Sequence, residues 1–150
     1  MSGLPSYAYR GFGSWAQENN HYSQAIRVGD RLICSGQGGW NPEQTEMDPE
    51  NLIKDNLVEE IDQAFANVEH TIKNAGGKGW PQVYLVRTYS TNIEAQHQRI
   101  VENLKKWMPN HTPVWTEIGV KQLGVDAMHF EVEVEAFDPE GARKAGGSED

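Results

Sequence analysis

Residues 128–137 alternate without a break: Met128, Phe130, Val132, Val134 and Ala136 are interleaved with His129, Glu131, Glu133, Glu135 and Phe137. Successive side chains of a β-strand point to opposite faces, so the segment reads as a strand with one apolar face and one face bearing three carboxylates. Such a strand belongs to a sheet whose core lies on one side only. The other side is either solvated or an inter-subunit cleft. In a cleft, crowded carboxylates raise one another's pKa and leave one able to act as a base.

The cover for the apolar face is legible upstream. Leu57, Ile61, Phe65, Val68, Ile72 and Ala75 recur at spacings of three and four, one stripe of an amphipathic helix, and Gly76-Gly77 permits a left-handed C-cap at its end. A second helix over residues 93–108 follows Asn92 as N-cap and is marked by Ile93, Ile100, Leu104 and Trp107. Residues 24–28 and 31–35 read as strands joined by a tight turn at Gly29-Asp30, and residues 82–90 and 114–120 as two more. Residues 40–51 read as a loop, with a helix start at Asp48-Pro49-Glu50. The fold class expected is α+β, one mixed sheet with two helices on one face.

With 150 residues the chain is read as one domain spanning 21–138. Residues 1–20 form an arm whose Tyr7, Tyr9, Phe12 and Trp15 imply packing against something, and the small, polar residues 139–150 read as a disordered tail. Subtracting 22 acidic from 13 basic residues gives a net charge of −9, which disfavours nucleic acid as a partner. The longest apolar run is residues 83–86, too short for a membrane span, and the first residues lack the pattern of a signal peptide, so a cytoplasmic location is expected. Cys34 is alone and set among apolar residues, the pattern of a small core side chain. The histidines show no paired ligand spacing, so no metal is expected. Gly36-Gln37-Gly38-Gly39 reads as a turn.

Tyr22-Ser23-Gln24-Ala25-Ile26-Arg27-Val28-Gly29-Asp30, then Leu32-Ile33-Cys34-Ser35-Gly36-Gln37 and Asn41-Pro42-Glu43, resemble the opening of RidA/YjgF proteins. Gln63-Ala64-Phe65-Ala66-Asn67-Val68, Asn74-Ala75-Gly76-Gly77, Pro113 and Val132-Glu133-Val134-Glu135-Ala136 continue the resemblance in the same order. The resemblance implies a chorismate-mutase-like fold and a homotrimer with a barrel-like core, with small-molecule sites at the subunit interfaces. It also implies hydrolysis of reactive imines and enamines without metal or cofactor.

By the same resemblance, Tyr22 and Ser35 match pocket residues and Glu133 matches the glutamate that positions water. Two residues beyond Pro113 the family has an arginine that grips the substrate carboxylate bidentately; this chain has Trp115. Glu117 stands where many relatives have cysteine and Gln98 roughly where RidA has asparagine, while Arg87, mid-strand, is the candidate substitute cation. The expectation is a remodelled pocket acting by water addition or proton transfer, in which Glu133 and Trp115 share one cleft and simple 2-imino acids are not the substrate. The alternatives are a non-catalytic ligand-binding or regulatory trimer and, with less support, an endoribonuclease.

Overall fold

The computed structural model describes residues 3–45, 48 and 51–146. In chain order the elements are β1 (Ser6–Tyr7), α1 (Phe12–Asn20), β2 (Ala25–Val28), β3 (Arg31–Cys34), α2 (Leu57–Asn74), β4 (Val83–Ser90), α3 (Ile93–Trp107), β5 (Val114–Gly119), β6 (Phe130–Phe137) and α4 (Pro139–Ala145). They form a six-stranded sheet in the order β1-β2-β3-β6-β4-β5. The sheet is mixed: β4 and β5 pair in parallel, and β4 and β3 each pair antiparallel with β6.

The alternation of β6 holds. Phe130, Val132, Val134 and Ala136 are buried in a core with Ile61, Phe65, Val68 and Ile72 of α2 and Ile100 of α3. Both helices therefore cover one face, and Arg99 of α3 grips Asp62 of α2 with two hydrogen bonds. The caps follow the polar punctuation: Asn56 accepts from the Glu59 N–H and Asn92 from the Ala95 N–H. Gly76, at φ 94°, takes the left-handed conformation that closes α2.

Two expectations need correction. Helix α2 begins at Leu57, not near residue 48; Pro49 and Glu50 lie outside the described residues. The arm packs against the domain: β1 pairs with β2, and α1 buries its Phe12 and Ala16 in a second cluster with Tyr9, Trp40 and Met128. Residues 139–150 are not wholly a disordered tail. Pro139–Ala145 is helical, capped by the Asp138 carboxylate on the Gly141 N–H. The sequence of α4 is polar because its anchor is a charge: Arg27 Nη2 lies 2.7 Å from Asp138 Oδ2, with both side chains buried.

Candidate active site

The face of the sheet away from α2 and α3 carries the carboxylate ladder of β6 opposite residues of β4. The β4–β6 register sets Tyr89 against Glu131, Arg87 against Glu133 and Leu85 against Glu135. The Tyr89 hydroxyl donates to Glu133, and Tyr84 donates to Glu135 at 2.5 Å. The bond to Glu133, with burial, pushes the Tyr89 phenol up to about 12, because a phenolate beside a carboxylate is disfavoured. Arg87 Nη1 lies 3.9 Å from Glu133 Oε1, so the candidate substitute cation is already turned toward a carboxylate.

Glu131 is held differently. Burial lifts its carboxyl above the ordinary value, and the charge of Glu133 adds to the rise. Its carboxylate lies over Gly36, where a Cβ would overlap it. This close approach is what residue 36 gains from being glycine. Next door, the Ser35 hydroxyl donates to the Ser23 carbonyl at 2.7 Å.

Glu131 borders a cavity of about 230 Å³, whose walls include Phe12, Trp15, Tyr22, Trp40 and Met128. The Tyr22 phenol is raised by burial and then by the charge on Glu131. Behind the wall, Trp40 Nε1 donates to the Tyr9 hydroxyl at 2.9 Å, Tyr9 donates to Gln37 at 2.9 Å, and Gln37 donates to Gln24 at 2.7 Å. This buried chain locks the arm and the glycine-rich turn into one rigid backing. Asn67 of α2 completes it by donating to the Gly38 and Trp40 carbonyls.

The sheet separates the predicted residues into two groups. Tyr22, Ser35, Arg87 and Glu133 lie in the region of the carboxylate ladder and the cavity beside it. Trp115 does not. The parallel register sets Trp115 beside Val86 and Glu117 beside Thr88, on the helix side of the sheet. There Trp115 Nε1 donates to Thr88 Oγ1 at 3.0 Å and its ring stacks on His97 at 5.7 Å. His97 Nδ1 lies 2.7 Å from Glu117 Oε1. Within one chain, therefore, Glu133 and Trp115 do not share a cleft. Gln98 is exposed on α3, and its neighbour Gln96 is the buried one, donating to the His129 carbonyl at 2.7 Å.

Sequence reasoning missed four things: Glu131 as the carboxylate nearest the cavity, Tyr89 as the partner of Glu133, the arm as a cavity wall, and His97. Glu131 could have been found, since it lies two residues from Glu133 on the same strand face. The others arise from contacts between segments far apart in the chain. Cys34 is buried as expected, and burial pushes its thiol up to about 12. Among the described residues no cluster of three or more metal-ligating side chains occurs, and no helix is long and apolar enough to cross a membrane.

Residues 15–137, which contain the strand ladder and Tyr22, match the family described as endoribonuclease L-PSP. The chain belongs to this family, that of RidA and YjgF. A RutC family protein of Aquifex aeolicus (strain VF5) is 33% identical over 116 residues, 76% of this chain and 84% of that protein. A protein of Dermatophagoides farinae named 2-iminobutanoate/2-iminopropanoate deaminase is 29% identical over 116 residues, 77% of this chain and 83% of the relative. Among solved structures, protein YJGH superposes with a TM-score of 0.73 at 27% identity, covering 90% of this chain and 95% of that one. The RidA-family chain thus has the expected α+β, chorismate-mutase-like fold.

Proposed function

We propose that this RidA-family protein is a homotrimeric hydrolase of small reactive imines or enamines, with sites between subunits and substrates other than simple 2-imino acids. The observation that carries the reading is Glu133 on an open sheet face, fixed by the Tyr89 hydroxyl and flanked by Glu131, beside the cavity lined by Tyr22. A carboxylate so held can orient a water and take its proton.

The chemistry balances without a cofactor. The water oxygen bonds to the carbon of a protonated imine as Glu133 accepts the water proton, and the C=N π pair passes to nitrogen. Return of that proton to nitrogen makes it a leaving group. The C–N bond then breaks with its electron pair leaving on ammonia, and the hydroxyl left behind becomes a carbonyl by giving its proton to the Glu133 carboxylate, which passes it to solvent.

Assembly has support in the same face. Ile33 and Phe137 are 38% and 53% exposed on it, and α2 and α3 cover the opposite side. β5 is a sheet edge, open to a neighbouring copy, and the proposed intersubunit site sets Trp115, His97 and Glu117 of one copy across from Glu133 of the next. The likeness to a protein named as a deaminase of 2-imino acids supports imine chemistry in general. The place of the family arginine argues against that substrate: Trp115 stands there beside the Glu117 carboxylate, and Arg87 is directed at Glu133. RNA cleavage is the weaker reading, because −9 with acidic groups on the open face repels phosphate.

The test is a panel of freshly generated imines with and without carboxylates, scored for ammonia release above buffer. Acceleration of carboxylate-free imines is expected. Activity confined to carboxylate-bearing imines would refute the remodelled pocket, and no acceleration of any imine would favour the binding trimer.

A further inference from the structure

We infer that the cavity beside Glu131 selects a cationic ligand, an ammonium or iminium carrying an aromatic or branched apolar group and no carboxylate. The assignment rests on the reading of this site as the substrate site and names the substrate class.

The cavity is aromatic and braced. Phe12 and Trp40 stack with centroids 4.0 Å apart, and Trp15 lies 6.3 Å from Phe12. Trp40 is pinned at its indole nitrogen by Tyr9 and at its carbonyl by Asn67. Aromatic faces carry negative π-density that attracts cations, and their apolar bulk takes up hydrocarbon. At about 230 Å³ the space is below the ~300–1,000 Å³ of drug-sized pockets, room for a single ring or branched chain.

Its one carboxylate is that of Glu131, which accepts no hydrogen bond among the described residues, and no lysine or arginine is among its lining residues. A half-buried carboxylate without a donor is destabilised, as the upward displacement of its pKa records. A ligand N–H⁺ placed against it restores the lost solvation. A ligand carboxylate placed there meets Glu131 and, two residues along the strand, Glu133. The same charge that repels 2-imino acids therefore favours the protonated imine, the form that water attacks.

Three shape-matched probes test this: phenethylammonium, 2-phenylethanol and phenylacetate, titrated against the intact protein by calorimetry and by tryptophan fluorescence, which Trp15 and Trp40 report. Phenethylammonium should bind at least tenfold more tightly than phenylacetate, with the alcohol between them. Glu131→Gln should weaken the cation about tenfold and leave the alcohol unchanged. Gly36→Ala, which displaces the flexible carboxylate without removing its charge, should also weaken the cation; unchanged alcohol binding shows in each variant that the cavity has folded. Equal binding of cation and anion, or a Glu131→Gln protein that keeps its cation affinity, would overturn the inference. Glu131-dependent cation binding without hydrolysis of any imine would instead refute the proposed activity and leave the cation site standing.

Discussion

The hydroxyl of Tyr89 on β4 donates to the carboxylate of Glu133 on β6, a diagonal contact two residues from its direct partner Glu131. The bond fixes the orientation of the carboxylate proposed to hold water, and it raises the phenol to about 12. Replacing the carboxylate should therefore be visible at the phenol. In Glu133→Gln the nearby negative charge is gone and the phenolate is less disfavoured, so the Tyr89 pKa should fall from about 12 toward the ordinary ~10. Ultraviolet difference titration reads this directly. The same variant should lose roughly 10²–10⁴-fold in ammonia release while keeping its assembly state, since its shape is conserved and its basicity is not.

Assembly should respond to the open face alone. Light scattering is expected to give about three times the 16.9 kDa chain mass. Ile33, exposed on that face opposite Glu135, can be made lysine without creating a buried charge in the single chain. Ile33→Lys should thus yield a folded monomer, its thermal stability as a single chain changed by no more than ~0.5 kcal/mol. A monomeric parent protein would contradict the proposed trimer.

Substrate preference should not be restored by one substitution. Trp115→Arg places a guanidinium beside Glu117, which would pair with it and leave it unable to grip a substrate carboxylate. Trp115→Arg combined with Glu117→Gln frees the guanidinium. Only the double variant should shift kcat/KM toward carboxylate-bearing imines, measured on the same panel by ammonia release.

The Arg27–Asp138 pair should set an acid limit on stability. Burial alone would raise the Asp138 carboxyl, but hydrogen bonds from Arg27, the Gly141 N–H and Gln82 overcome it, and the group ends below its ordinary value. A depressed carboxyl contributes stability above its unfolded pKa of ~3.9, and the contribution is lost as pH falls through the folded value. Thermal melts should therefore show the midpoint dropping below about pH 4. Asp138→Asn should cost about 3–5 kcal/mol at neutral pH by leaving Arg27 buried and unpaired, and should flatten that acid dependence.

Periodicity alone determined most of the architecture. The alternation along β6, the three-and-four spacing of α2 and the asparagine caps are local patterns, and each records which face of its element avoids water. The family motifs added the order of the parts and the positions of Tyr22, Ser35 and Glu133. Other features depended on tertiary contacts. Residues 139–145 look like a polar tail until Arg27, more than a hundred positions earlier, is placed against Asp138. The arm residues Phe12 and Trp15 are only scattered aromatics until Trp40 stacks beside them. Trp115 and Glu133 belong to opposite faces because the parallel pairing of β5 with β4 sets Trp115 level with Val86, and strand register is a property of two segments together. A single strand carries its own alternation; which face meets helices and which stays open is decided when the strands pair and the helices cover them.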